Sequence, residues 1–104
     1  GQISTQRAAP AARWVLIWPA GEVPIGDAAL VIGRSKDCDV SLADGNVSRR
    51  HAELSRSGEA FTIRDLDSTN GTLLNGRRVQ REPVSEGDEI TVGTSTLRIE
   101  RRPG

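Results

Sequence analysis

Sulfur and aromatic side chains are scarce in this chain. Of 104 residues none is methionine, one is cysteine (Cys38) and three are aromatic (Trp14, Trp18 and Phe61). Each shortage excludes something. A lone cysteine cannot form an internal disulfide, so the fold must rest on its packed core, which suits a reducing, cytoplasmic setting. Cys38 itself reads as a small buried hydrophobe rather than a nucleophile. With one cysteine and one histidine (His51) there is no zinc cluster to assemble, and no metal or cofactor is expected. Net charge is missing too: 14 basic residues cancel 14 acidic ones, so no overall field favours nucleic acid or an anionic membrane. No apolar run nears the roughly 20 residues that span a bilayer, and no signal peptide is evident. A chain that opens on Gly1 without a methionine reads as a piece of something longer, or as a processed product.

What is abundant is branched aliphatic carbon. The 23 Ile, Val and Leu residues favour strands, whose pleated faces accept β-branched side chains. The length predicts one domain, burying roughly 60–70% of the surface its unfolded chain exposes. Trp14-Val15-Leu16-Ile17-Trp18 is a β-type run stopped by Pro19, and Glu22-Val23-Pro24-Ile25 alternates, with Pro24 marking an edge position. Ala29-Leu30-Val31-Ile32 and the short Val40-Ser41-Leu42 follow. His51–Ser55 and Ala60–Arg64 flank Ser57-Gly58 as a hairpin, and Glu89–Val92 and Leu97–Ile99 flank Gly93-Thr94-Ser95 as another. Asn75-Gly76, between Leu73-Leu74 and Val79, predicts a tight primed turn.

No window of 11 or more residues carries a helical repeat free of Gly or Pro. About ten short strands between turns predict an all-β antiparallel sandwich or barrel, whose loops gather at the ends. Residues 13–100 are expected to form the domain, with 1–12 a flexible lead-in and 101–104 a frayed tail.

Three of the predicted loops carry unusual chemistry: Ile32-Gly33-Arg34-Ser35, Val47-Ser48-Arg49-Arg50-His51-Ala52, and Asp67-Ser68-Thr69-Asn70-Gly71-Thr72, the last running on to Asn75-Gly76. Together they offer a guanidinium, hydroxyls and amides, the donors that hold a dianion, with no acid or base placed to cleave it. His51, with Ser48 and Asp65, can be written as a triad, but no nucleophile elbow supports it. The pattern is that of a reader of phosphate, not an enzyme.

Gly33-Arg34-Ser35, Ser48-Arg49-x-His51-Ala52, Ser68-Thr69-Asn70-Gly71-Thr72-x-x-Asn75-Gly76 and the closing Gly87-Asp88-Glu89-Ile90-x-x-Gly93 resemble, in order and spacing, the signature of the forkhead-associated (FHA) domain. The resemblance runs from about Trp14 to Ile99. It implies a β-sandwich of about 11 strands that binds phosphothreonine peptides through loops at one end, mediating phosphorylation-dependent protein interactions in Ser/Thr kinase signalling.

Residue chemistry agrees with those roles. A phosphothreonine carries about −1.5 to −2 charges and three strong acceptor oxygens. Arg34 offers a planar fork to two of them; its alternative is a surface ion pair with Asp37 or Asp39. Ser48 and Thr69 would donate hydroxyls to the phosphate, and Arg49 a further cation, while each could instead serve its own turn or solvent. Asn70 resembles the family asparagine that bonds the peptide backbone. Asn46 and Ser68 are candidates for sequence selectivity. The resemblance also implies a preference for phosphothreonine over phosphoserine, for which a small apolar contact to the methyl group, worth roughly 1 kcal/mol, would be the physical basis.

Gly33, His51, Gly71 and Asn75 are expected to support the site: His51, as the resemblance implies, by bracing the binding loop, the glycines by positive φ or close approach, and Asn75 by tying two loops together. Asp39 and Asp88 read as turn residues. Asn46-Val47-Ser48 and Asn70-Gly71-Thr72 match the N-glycosylation pattern only by overlapping the binding loops. The expected partner is a phosphothreonine protein or peptide, with the chain's own N-terminal segment, which holds Thr5, as one source. The isolated domain is expected to be monomeric. Two rivals remain: a scaffold that binds its partner without phosphate, and a nucleic-acid backbone binder, which the neutral charge disfavours. Arg- and Ala-rich usage hints at a GC-rich bacterial source.

Overall fold

The computed structural model describes residues 13–103 and shows 11 strands and no helix among them. In chain order these are β1 (Arg13–Trp18), β2 (Gly21–Pro24), β3 (Leu30–Gly33), β4 (Val40–Ser41), β5 (Ala52–Ser57), β6 (Ala60–Asp65), β7 (Thr72–Leu74), β8 (Arg77–Val79), β9 (Arg81–Val84), β10 (Glu89–Val92) and β11 (Ser95–Arg102). They form a five-stranded sheet in the order β9-β6-β5-β3-β4 and a six-stranded sheet in the order β2-β1-β11-β10-β7-β8. All pairings are antiparallel except β3 with β4, which is parallel.

Alternation of side chains sends one set inward from each sheet. Ile32, Leu54 and Ile63 from the five-stranded sheet meet Leu16, Ile90, Leu97 and Ile99 from the six-stranded one, all essentially without solvent contact. Burying each such side chain is worth roughly 1.5–3 kcal/mol. Trp14 meets Phe61 edge-on at 5.0 Å, so two of the three aromatics pin the sheets together. Cys38 is buried, as its composition predicted.

Turn chemistry sets the hairpins. Asn75 and Gly76 both have positive φ (51° and 85°) between paired Leu74 and Arg77, the geometry of the expected primed turn. Gly58 and Gly93 stand first in two-residue turns joining β5 to β6 and β10 to β11.

The structure departs from expectation in three places. Arg81–Val84, which has no clear apolar pattern, is a strand because its backbone pairs with β6 at the sheet edge. The parallel β3–β4 pair was not foreseen. Part of the predicted frayed tail is strand: β11 continues through Arg102, with Arg101 opposite Trp14 and Arg102 opposite Arg13, and the Arg102 guanidinium pairs with Glu22 at 2.9 Å. The predicted lead-in, residues 1–12, lies outside the described residues. Pro24 stands on an edge strand as expected, and Pro83 occupies the edge strand of the other sheet.

Candidate functional site

The loops after β3, before β5 and between β6 and β7 meet at one end of the sandwich. They do so because backbone pairing continues past the strands. The amides of Arg34 and Ser35 donate to the carbonyls of Ser48 and Arg49, the amide of His51 donates to Ile32, and that of Leu66 donates to His51. This close course needs a glycine. A Cβ on Gly33 would lie 2.2 Å from the Arg49 carbonyl oxygen, so any side chain would push the two loops apart.

His51 is buried without solvent contact, and both ring nitrogens serve the backbone. Nδ1 accepts the Ser48 amide at 3.0 Å, and Nε2–H donates to the Gly71 carbonyl at 2.7 Å. With Nδ1 accepting and Nε2–H donating, the ring is held in one tautomer and is unavailable as a base for Ser48. The triad reading fails on this geometry, and the bracing role stands.

Ser48 lies at the centre. Its Oγ accepts the Thr69 amide at 3.0 Å, which leaves the hydroxyl proton to donate elsewhere. The Thr69 side chain is exposed beside it. Arg34 is exposed and donates from Nε to the Val47 carbonyl at 3.1 Å, which holds the fork and leaves both terminal nitrogens without a hydrogen-bond partner among the described residues. The alternative ion pair with Asp37 or Asp39 does not form among the described residues. Asp39 instead accepts the Val31 amide at 2.8 Å, a scaffold role. Arg34, Ser35 and exposed Arg49 line an open cavity of about 290 Å³. A cavity of equal volume, bounded by Ile17, Trp18, Pro19, Glu89, Thr96 and Arg98, holds none of the expected site residues.

Asn70 donates from Nδ2 to the Asn46 carbonyl at 2.8 Å, leaving Oδ1 as an acceptor for a peptide N–H. Asn46 thus joins the site through its backbone, and its exposed side chain stays at the rim. Ser68 is different. Its Oγ donates to Asp65 at 2.5 Å and accepts the Gly71 amide at 2.9 Å, so the hydroxyl faces inward as a brace rather than outward toward ligand. Asp65 also accepts from Thr72 Oγ1 at 2.7 Å and from the Ser68 amide at 3.0 Å. Partial burial pushes the Asp65 carboxyl up, but the Ser68 and Thr72 hydroxyls and the Ser68 amide outweigh it and hold the group below its ordinary range.

Asn75 ties loops together, but at the far end of β7 from Gly71. Its Nδ2 donates to Asp88 and its Oδ1 accepts the Glu89 amide, so it steadies the turn before β10 rather than the site. Two contributors escaped the sequence reading. Asp44 accepts from Thr94 Oγ1 (2.6 Å), the Thr94 amide (2.8 Å) and the Asn46 amide (2.9 Å), clasping the loop before Ser48 to the β10–β11 hairpin. Those bonds, led by the Thr94 hydroxyl, lower its carboxyl to about 2. Arg78, on β8, lies against Gly71. Neither is signalled locally, because each acts on a partner distant in sequence.

No group of three or more His, Cys, Asp or Glu side chains that could hold a metal occurs among the described residues, and no helix there is long and apolar enough to cross a membrane. The arrangement brings the loop-borne donors Arg34, Ser48, Thr69 and Asn70 together on the end of a two-sheet sandwich.

The chain belongs to the FHA domain family: the family model matches residues 30–93. It is 42% identical over 67 residues to the FHA domain-containing protein FhaA of Mycobacterium tuberculosis, covering 64% of this chain and 13% of that protein. It is 44% identical over 65 residues to the oxoglutarate dehydrogenase inhibitor of Corynebacterium jeikeium, covering 62% of this chain and 45% of the relative. The chain thus spans less than half the length of either. Among solved structures, an FHA domain analysed for phosphothreonine-dependent interactions superposes with a TM-score of 0.81 at 33% identity, over 88% of this chain and 99% of the other. Mycobacterium tuberculosis EmbR in complex with a low-affinity phosphopeptide superposes with a TM-score of 0.80 at 31% identity, over 89% of this chain and 25% of EmbR.

Proposed function

We propose that this domain is a non-catalytic module that binds phosphothreonine peptides, linking its parent protein to the substrates of a Ser/Thr kinase. One observation carries the reading: Ser48 stands where three loops meet, with Arg34 bonded to its carbonyl (3.0 Å) and Thr69 to its hydroxyl oxygen (3.0 Å), and its own proton is left to donate. The terminal nitrogens of Arg34 would pair with two phosphate oxygens. The hydroxyls of Ser48 and Thr69 would bind the phosphate, with Arg49 adding positive charge at the cavity wall. Asn70 Oδ1 would take a peptide N–H. Both His51 nitrogens are committed, so the imidazole is not free to activate water, and the ester would be held and not cleaved.

Titration calorimetry with one peptide in phosphorylated and unphosphorylated forms tests this. Wild type should bind only the phosphorylated form, and Arg34→Ala should remove measurable binding. Equal affinity for both forms would favour a phosphate-independent scaffold. A salt-sensitive shift with random oligonucleotides, absent with phosphopeptide, would favour a nucleic-acid binder.

A further inference from the structure

We propose that Thr94, on the β10–β11 hairpin and outside the three recognition loops, is a phosphorylation point that switches peptide binding off. This rests on the phosphopeptide reading above and adds a means of regulation to it.

Four side-chain hydroxyls among the described residues donate to a carboxylate: Ser68 and Thr72 to Asp65, and Thr94 and Ser95 to Asp44. Of the four, Thr94 alone is exposed. It stands second in the two-residue turn between paired Val92 and Ser95, after Gly93 at φ 61°. A kinase would meet its hydroxyl at a turn apex. The γ-phosphoryl of ATP would pass to Oγ1, the hydroxyl proton to the base of the kinase, and ADP would leave. The added group carries about −1.5 to −2 charges and three acceptor oxygens.

That charge would arrive where the apex already packs tightly. Thr94 Oγ1 lies 2.6 Å from Asp44 Oδ2, and a Cβ on Gly93 would lie 2.8 Å from the same oxygen and 2.7 Å from Val47. Phosphorylation removes the proton that makes the 2.6 Å bond and sets a dianion against a carboxylate, so the apex and the loop repel. The loop in question holds two side chains assigned to ligand. The Asn46 carbonyl accepts from Asn70 Nδ2 at 2.8 Å, and the Val47 carbonyl accepts from Arg34 Nε at 3.1 Å. The shape of this segment depends on Asp44, whose Oδ1 accepts the Asn46 amide at 2.9 Å. Displacing Asp44 therefore loosens the arginine fork and the peptide-holding asparagine together, without contact with either.

The test replaces Thr94 by phosphothreonine through genetic encoding and compares that protein with wild type, Thr94→Ala and Asp44→Asn. Calorimetry with one phosphothreonine peptide gives affinity, and the unfolding midpoint and hydrogen exchange of the Asn46 amide are measured for each. Phosphorylation should weaken peptide binding at least about tenfold, as expected of a dianion forced against a carboxylate, and should speed exchange at Asn46. Thr94→Ala removes one hydrogen bond and adds no charge, so its loss should stay within about threefold. In an Asp44→Asn background, phosphorylation should cost no more than about threefold, because the repelling partner is gone. Wild-type affinity in the phosphorylated domain, or an equal loss in Thr94→Ala, overturns the inference. A full loss that persists with Asp44→Asn overturns it too, as does a phosphorylated domain that is unfolded at the assay temperature. A loss that grows with domain concentration would also overturn it, by showing the new phosphate seated in a second copy. No peptide binding by wild type would sink the parent reading instead, while exchange at Asn46 would still report whether the loop is released.

Discussion

His51 and Gly71, 20 residues apart in sequence, are joined by a 2.7 Å hydrogen bond from the buried imidazole to the glycine carbonyl. The same ring accepts the Ser48 amide, so one side chain sets the spacing between the two loops. His51→Ala would leave a buried donor and a buried acceptor without partners and open a cavity. A loss of about 3 kcal/mol or more in unfolding free energy is expected in urea denaturation. A loss below about 1 kcal/mol would mean that the loops hold their spacing without the ring.

Arg34→Lys separates charge from shape. Lysine keeps the positive charge but loses the fork and the Nε bond to the Val47 carbonyl. Phosphopeptide affinity should fall at least about tenfold by calorimetry, since a paired charge-assisted contact becomes a single mobile one. Wild-type affinity in the lysine variant would show that a point charge suffices.

Ser68→Ala should act on the loop and not on selectivity, because the hydroxyl bonds Asp65 and Gly71 rather than facing outward. The expected cost is about 1–2 kcal/mol of stability, with affinity lowered by a similar factor for every peptide in a phosphothreonine library. A changed ranking of peptides would return Ser68 to the specificity surface. Substitution of Asn46, whose side chain stays at the rim, is expected to change that ranking.

The Asp44 clasp has a definite pH signature. Its carboxyl falls from an ordinary 3.8 to about 2 in the folded protein, chiefly through the Thr94 hydroxyl and then the Asn46 and Thr94 amides. Its contribution is therefore fully present above about pH 4 and disappears as pH falls through 2. The gap in unfolding midpoint between wild type and Asp44→Asn should be widest above pH 4 and should close on acidification. A gap that is constant from pH 5 to pH 2 would show that the charge on Asp44 is irrelevant to the clasp.

Much of this was legible where local chemistry decides the outcome. Asn75-Gly76 had to be a primed turn, because few residues accept positive φ in succession. Gly33 could be read as a close approach, and Arg34, Ser48, Thr69 and Asn70 as one group, because their motif order matched a family pattern. The misses share a cause. The inward turn of Ser68 depends on an acceptor at Asp65, the reach of Asp44 depends on a hairpin 50 residues away, and the edge strand Arg81–Val84 depends on backbone rungs offered by β6. Such features belong to the assembled sheets and leave no periodic trace in the chain.

The sandwich also guards its flanks. Each sheet ends in one strand interrupted by proline (Pro24 in β2, Pro83 in β9) and one only two or three residues long (β4, β8). Another chain finds little there to zip onto, since proline offers no amide and a stub gives few rungs. Visitors are thereby steered to the tip, where, on the function proposed above, admission would depend on a chemical mark and not on the generic stickiness of an open β ribbon.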